Sequence, residues 1–325
     1  MRVLTEAEIR RLVWLDEAAL SAVEEGFRQL SVGEVTTPPI LRLDVPEHEG
    51  ELDVKTAYVR GWDAFAVKMS SGYFGNSAKG LPTSSGLMVL FAAATGFPQA
   101  LLFDGGYLTT VRTAAAGAIA AKYLAPADVE TLGLVGAGEQ ARYQALAISM
   151  VRPARRILVG SRRREQAERL AQQLREELGV TAQAASSLEE LVRESELVVT
   201  ATPSTVPLLR EEWLHPGLHI TAMGSDAPRK QELEVGILRA ADVLVCDVRS
   251  QCLTLGESHH GAEAGAIRGE DLVELGEVVA GRRPGRTTGA EITVCDLTGT
   301  GVQDTAIARF AYQAAERAGA GSELA

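Results

Sequence analysis

The 325-residue sequence predicts an α/β protein in which a doubly wound parallel sheet is joined to a second, α+β domain. Two observations predict it. Beyond residue 130, seven short apolar runs recur between helical or loop segments, as βαβ units require. Before residue 104, five runs alternate between turn signals, as in an antiparallel sheet. A hydrophobic content of 46% with 23% charged residues suits a large core, and the length suits two domains.

Residues 5–30 read as two amphipathic helices. Thr5 and Glu8 have capping-box spacing, and Asp16 is placed to cap the second helix, where Ala19, Leu20, Val23, Phe27 and Leu30 follow helical spacing. Strands are then expected at 41–45, 52–59, 65–69, 86–91 and 100–103. Pro46, Gly61, Gly72, Gly80-Leu81-Pro82 and Thr95-Gly96 punctuate them. The later strands are expected at 131–135, 156–160, 180–184, 197–201, 218–223, 242–246 and 291–295. A last helix over 304–318 is expected to return to the first domain, and residues 319–325 to fray. The domains then span 1–112 with 297–325, and 113–296.

The run Thr131-Leu132-Gly133-Leu134-Val135-Gly136-Ala137-Gly138-Glu139-Gln140-Ala141 is the most informative stretch. Gly136, Gly138 and Ala141 fill the G-x-G-x-x-G/A pattern between a strand and a helix. The first glycine permits a tight turn, the second lets the backbone approach a pyrophosphate, and the small third residue lets the helix sit close to the sheet. Glu139 and Gln140, also expected at the cofactor, precede that helix, read as Ala141 to Met150, whose free N–H groups would face the diphosphate. This is a Rossmann-type dinucleotide site. An NAD site carries an acid at the end of the second strand. Here that strand runs into Gly160-Ser161-Arg162-Arg163-Arg164. Ser161 and Arg162 suit a 2′-phosphate, so NADP(H) is favoured over NAD(H). The competing reading is that the arginines only open a solvated helix.

The net charge of −11 argues against nucleic acid or an anionic membrane as partner. Cys246, Cys252 and Cys295 form no C-x-x-C motif, and Cys246 and Cys295 sit in apolar runs, which fits buried thiols in a reducing cytoplasm. No signal peptide and no membrane-spanning run is visible. His259-His260 lies near Glu257 and Glu263, but Gly256, Gly261 and Gly265 around it read as a mobile loop, and no metal is expected. No G-x-S-x-G elbow supports a serine hydrolase.

Over nearly its whole length the chain resembles the ornithine cyclodeaminase/mu-crystallin family. The matching text is Lys68, Gly80-Leu81-Pro82, Thr95-Gly96, the run from Leu108-Thr109-Thr110-Val111-Arg112 to Ala116, and Gly136-Ala137-Gly138. It continues with Gly224-Ser225-Asp226-Ala227-Pro228-Arg229-Lys230-Gln231-Glu232-Leu233 and Asp296-Leu297-Thr298-Gly299-Thr300-Gly301-Val302-Gln303-Asp304. Residues 38–44 and 53–58 look most like the cyclodeaminase-like proteins of ectoine utilisation. The resemblance implies a homodimer built through the first domain, and hydride exchange at the Cα of a small amino or imino acid. The family spans cyclodeaminases, dehydrogenases, imine reductases and a lens protein that binds thyroid hormone, so fold alone does not choose among them.

Such chemistry needs a fixed carboxylate, a nearby nicotinamide and a group that moves protons. Arg42, Lys68 and Arg112 match the family's substrate pocket. The guanidinium fork of Arg42 or Arg112 suits a carboxylate, and Lys68 adds charge or shares in proton transfer. Read alone, Arg42 in an alternating strand belongs on a wet face, and Arg112 at a helix start wants an anion that Asp104 or Asp304 would also supply. Asp226, beyond a parallel strand, matches the family's catalytic acid; read alone, it is a turn former before Pro228. Thr200, Thr202 and Thr298 are expected to line the nicotinamide end. Three functions stay open: an NAD(P)-linked oxidoreductase, a redox-neutral cyclodeaminase, and a non-catalytic binder, which the carboxylate of Asp226 disfavours.

Overall fold

In the computed structural model, β1 (Arg2–Thr5) opens the chain, a strand too short to show alternation in the sequence. Residues 1–324 are described, apart from the side chains of Phe74 and Ser77. The amide of Thr5 donates to the Glu8 carboxylate at 2.9 Å, which starts α1 (Glu6–Leu12). Asp16 accepts from the Ala19 amide at 2.9 Å and starts α2 (Glu17–Val32). There follow β2 (Val35–Thr36), β3 (Leu41–Val45), β4 (Gly50–Val59), β5 (Ala64–Tyr73), β6 (Ser84–Ala92), β7 (Pro98–Phe103) and α3 (Tyr107–Leu124).

The βα alternation then begins: β8 (Thr131–Val135), α4 (Glu139–Val151), β9 (Arg156–Gly160), α5 (Arg164–Leu178), β10 (Thr181–Ala184), α6 (Leu188–Arg193) and β11 (Leu197–Thr200). Next come β12 (Thr205–Leu209), β13 (His219–Ala222), β14 (Gln231–Leu233), α7 (Val235–Ala240), β15 (Val243–Cys246), α8 (Arg249–Cys252) and α9 (Glu257–Glu263). The chain ends with β16 (Val273–Glu274), α10 (Leu275–Val279), β17 (Thr293–Asp296), α11 (Gly301–Ala318) and β18 (Ser322–Glu323).

Two compact units result. One comprises Met1–Arg112 with Thr300 onward, the other Thr113–Gly299, so the division falls inside α3. In the first unit the strands run in the order β18-β1-β7-β6-β5-β4-β2, with β3 also paired to β4. Neighbours from β3 to β7 pair antiparallel, while β1 joins β7 in parallel. Alternate residues of β4 and β5 turn one face towards α11, which also packs on α2. In the second unit the order is β10-β9-β8-β11-β13-β17-β15-β16, every neighbouring pair parallel. The seven expected strands are all present, each boundary within two residues. Apart from the edge strand β10, their side chains are buried almost throughout, which is why they read as apolar runs. The strands β12 and β14 form a small parallel pair that the sequence reading omits.

Two expectations fail here. His259 and His260 do not lie in a loop but in α9, and the His260 ring meets the Lys230 carbonyl at 2.8 Å. The tail does not fray: Gly319 closes α11 with φ of 61°, and β18 pairs with Arg2 and Val3 of β1. Ala325 lies outside the described residues.

Candidate functional site

The second unit builds a turn between β8 and α4. Gly136 has φ of 122°, and a Cβ there would sit 2.6 Å from the Ala201 carbonyl, so the chain's own packing demands glycine. Gly138 differs. A Cβ there would meet nothing within 4 Å, so nothing in the protein requires its absence. The space is what a diphosphate would fill, and the unpaired first-turn amides of the 13-residue α4 border it. Ala141 is buried, as close packing of α4 against the sheet needs. A cavity of about 710 Å³ continues from the turn past the carboxyl ends of β8, β9 and β11. Its walls include Gly136, Gly138, Ser161, Arg162 and Thr202. Glu139 lines a neighbouring recess with Arg142 and Arg169. Gln140, in the first turn of α4, is half-buried. These features fit a dinucleotide.

The threonines divide. Thr202 lines the cavity, whereas Thr200 is fully buried and donates its hydroxyl to Glu232 at 2.7 Å. Thr298 is buried too. Its amide and hydroxyl donate to Asp247 at 2.8 and 2.9 Å, and Gln251 donates to its oxygen at 2.6 Å. Asp226 follows β13 on a turn and keeps about a third of its side chain exposed. The buried Lys230 donates to its carboxylate at 2.6 Å. Ser225 closes the same turn by donating to the Lys230 carbonyl at 2.6 Å. Burial pushes the Glu232 carboxyl up to about 7, against the pull of the Thr202 and Thr200 hydroxyls.

The first unit brings Lys68 and Arg112 together around Asp304. Lys68 Nζ lies 3.4 Å and Arg112 Nε 3.0 Å from that carboxylate, and all three side chains are buried. Arg112 also donates to the Gln303 side-chain oxygen at 3.1 Å. Burial pushes the Lys68 ammonium down to about 7. Asp304 opposes the shift, Arg112 adds to it, and Lys55 and Asp53 of β4 act more weakly with opposite signs. Arg42 is held differently. It faces Asp53 across β3 and β4, and its guanidinium meets Asp44 at 3.2 Å, Asp53 at 3.3 Å and also Glu51. Of the sequence-chosen cations, then, two converge on one carboxylate, while the third is wrapped by three acids.

Sequence reasoning names Asp304 only as an alternative partner for Arg112, and gives Gln303, Lys230 and Glu232 no role. The i, i+4 spacing of Asp226 and Lys230 was the available signal for one of them. Among the described residues, no group of three His, Cys, Asp or Glu side chains could hold a metal ion. No helix there is long and apolar enough to cross a membrane. The three cysteines are buried and free.

A doubly wound sheet with a glycine turn and an open cavity at its carboxyl edge, in one chain with an α+β unit that buries cations, defines a Rossmann-type two-unit α/β protein. The profile of the ornithine cyclodeaminase/mu-crystallin family matches residues 1–319, and the chain belongs to that family. A protein of Sinorhizobium fredii named an uncharacterized cyclodeaminase is 50% identical, over 99% of this chain and 98% of its own. Among solved structures, an archaeal alanine dehydrogenase dimer with bound NAD has a TM-score of 0.93 at 36% identity. The match covers 100% of this chain and 99% of that one. The Delta(1)-pyrroline-2-carboxylate reductase of Thermococcus litoralis, in complex with NADH and L-proline, has a TM-score of 0.94 at 30% identity and full coverage of both chains.

Proposed function

We propose that this protein is an NAD(P)-dependent oxidoreductase that exchanges a hydride at the Cα of a small amino or imino acid. The observation that carries the substrate side is the convergence of two buried cations, Lys68 and Arg112, on one carboxylate, Asp304. An ammonium and a guanidinium that share one acceptor keep N–H groups to offer a second anion such as a substrate carboxylate. Arg112 would fix that carboxylate and Lys68 would complete the charge, orienting Cα. Arg42, already wrapped by acids, would act at the margin of the pocket. A bound nicotinamide accepts or delivers the hydride. Asp226, partly exposed and paired with Lys230, would move the proton at the substrate nitrogen.

The nucleotide reading is NADP(H) in preference to NAD(H). It rests on Ser161 and Arg162 at the end of β9, where no carboxylate intervenes before Glu165. The protein would act as a homodimer through the first unit. On the sheet face turned away from α11, Leu41, Val54, Met69 and Leu87 succeed one another across β3 to β6. Phe65 stacks on Phe91 at 5.5 Å, and Leu41, Leu43 and Tyr58 are exposed. A sedimentation mass of one chain would remove the dimer.

A second reading, the redox-neutral cyclodeaminase, is favoured by the likeness to the Sinorhizobium fredii protein. One assay separates the two. The purified protein is incubated with diamino and imino acids, with and without added NADPH or NADH, and cofactor absorbance is followed beside ammonia. Stoichiometric oxidation of the reduced nucleotide supports the oxidoreductase. Ammonia release without net cofactor change replaces it with the cyclodeaminase, and neither change with any acid sinks both.

A further inference from the structure

We infer that Glu232 is a positioning residue that holds the turn of Asp226 in register with the nucleotide-facing turn after β11. The inference rests on the reading of Asp226 as the proton-moving group. Glu232, on β14, is fully buried. One of its oxygens accepts from the Thr200 hydroxyl at 2.7 Å and from the Gly224 amide at 2.9 Å. The other accepts from the amide and the hydroxyl of Thr202, each at 2.7 Å. An ionised carboxylate has about four acceptor sites and no donor, and four donors meet it here. Two come from Thr202, in the turn that lines the cavity. Another comes from Gly224, two residues before Asp226. The side chain therefore ties together two turns that leave different strands, β11 and β13.

The turns are also too close to be independent. A Cβ at Gly224 would lie 2.2 Å from the Thr202 carbonyl oxygen and 2.5 Å from Glu232. The position of Asp226 is thus read from Thr202 through one carboxylate. Glutamine at 232 keeps the shape, but whichever way its amide turns, the NH2 group faces a backbone N–H, of Gly224 or of Thr202, that can only donate, so at least one tie is lost. Glu232 is itself held from behind, because its amide donates to the Glu257 carboxylate at 2.7 Å.

The test uses the full chain as wild type, E232Q, D226N and the double variant. Amide hydrogen exchange is followed by mass spectrometry. In E232Q, residues 200–204 and 223–227 should both exchange at least tenfold faster, while residues 131–135 stay protected. NADPH affinity, read from its fluorescence, should fall less than threefold while kcat falls thirtyfold or more. On the D226N background, E232Q should remove almost no further kcat. Unchanged exchange at either turn, or an equal kcat loss on both backgrounds, overturns the inference. Faster exchange at both turns with D226N fully active would keep the tie and sink the proton-moving role of Asp226 instead. Should E232Q fail to fold, Thr200→Val removes one donor from the same oxygen that Gly224 uses. Exchange at 223–227 must then rise, and if it does not, the inference falls.

Discussion

The two units answer most of their buried charge differently, with Asp104 on the Leu108 amide in the first and Lys230 on Asp226 in the second as exceptions. The first sets opposite charges against one another: Lys68 and Arg112 on Asp304, Arg42 on Glu51 and Asp53. The second buries carboxylates and answers them with amides and hydroxyls. Glu232 takes four such donors, Glu257 takes the amides of Glu232 and Leu233 at 2.7 and 3.1 Å, and Asp247 takes the amides of Thr298 and Gly299 at 2.8 and 2.6 Å. The partner tells the role. A backbone amide cannot leave, so a carboxylate that collects amides fixes loops. A cation held by a shared carboxylate keeps N–H groups for a second anion, so a cluster of two cations on one carboxylate can bind one.

The sharpest way to break this comparison is to neutralise one acid of each kind. Asp304→Asn leaves Lys68 and Arg112 facing each other in a buried place and should cost about 3–5 kcal/mol, the loss expected when one partner of a buried ion pair is removed. Asp296→Asn should cost only about 1 kcal/mol. Its carboxyl accepts from the Ser258 amide at 2.7 Å, and burial already pushes it up to about 7, so the neutral form is well populated at neutral pH. Urea unfolding at pH 7 measures both, and equal losses would erase the distinction between the units.

The same contrast sets the direction of pH dependence. Lys68 in the folded protein sits near 7, below its ordinary 10.5, so between those values the unfolded chain binds more protons. The stability of wild type relative to Lys68→Met should therefore rise with pH from about 7 to 10.5. Asp296 sits near 7, above its ordinary 3.8, so between those values the folded chain holds more protons. The stability of wild type relative to Asp296→Asn should fall as pH rises through that window. Each slope can reach about 1.4 kcal/mol per pH unit. A flat difference for either pair would show that the group keeps its ordinary protonation in the folded chain.

Much of this was legible in the sequence, for physical reasons that differ by element. Parallel strands buried on both faces leave unbroken apolar runs, so β8, β9, β11 and β13 stand out. Lys68 is visible because it interrupts the apolar stretch from Phe65 to Met69 in the antiparallel strand β5. What is lost depends on contacts distant in sequence. The strands β1 and β18 are too short to carry a pattern and exist because they pair with each other and β7. The helix α9 was hidden by its glycines. Gly261 reads as a breaker, yet a Cβ there would lie 2.8 Å from Leu238, so it is there to let α9 pack against α7. Glu232 looks like any strand glutamate until Thr200, Thr202 and Gly224 are brought around it.

A local effect sharpens the comparison at the rim of the second unit, where an exposed cation is not committed to a buried carboxylate. Arg162 is exposed on the cavity wall just beyond β9, next to the half-buried Ser161. If its guanidinium reads a 2′-phosphate, Arg162→Ala should weaken NADPH about tenfold, the loss of one charge-assisted contact of about 1.4 kcal/mol at a wet site. NADH, which has no such phosphate, should be unaffected, and the NADPH effect should shrink as salt is added, because the contact lies in water. Fluorescence titration of both nucleotides at two ionic strengths measures this directly. An equal loss for NADH would move Arg162 from phosphate recognition to support of the turn, and would leave the absence of an acid after β9 without a ligand to explain it.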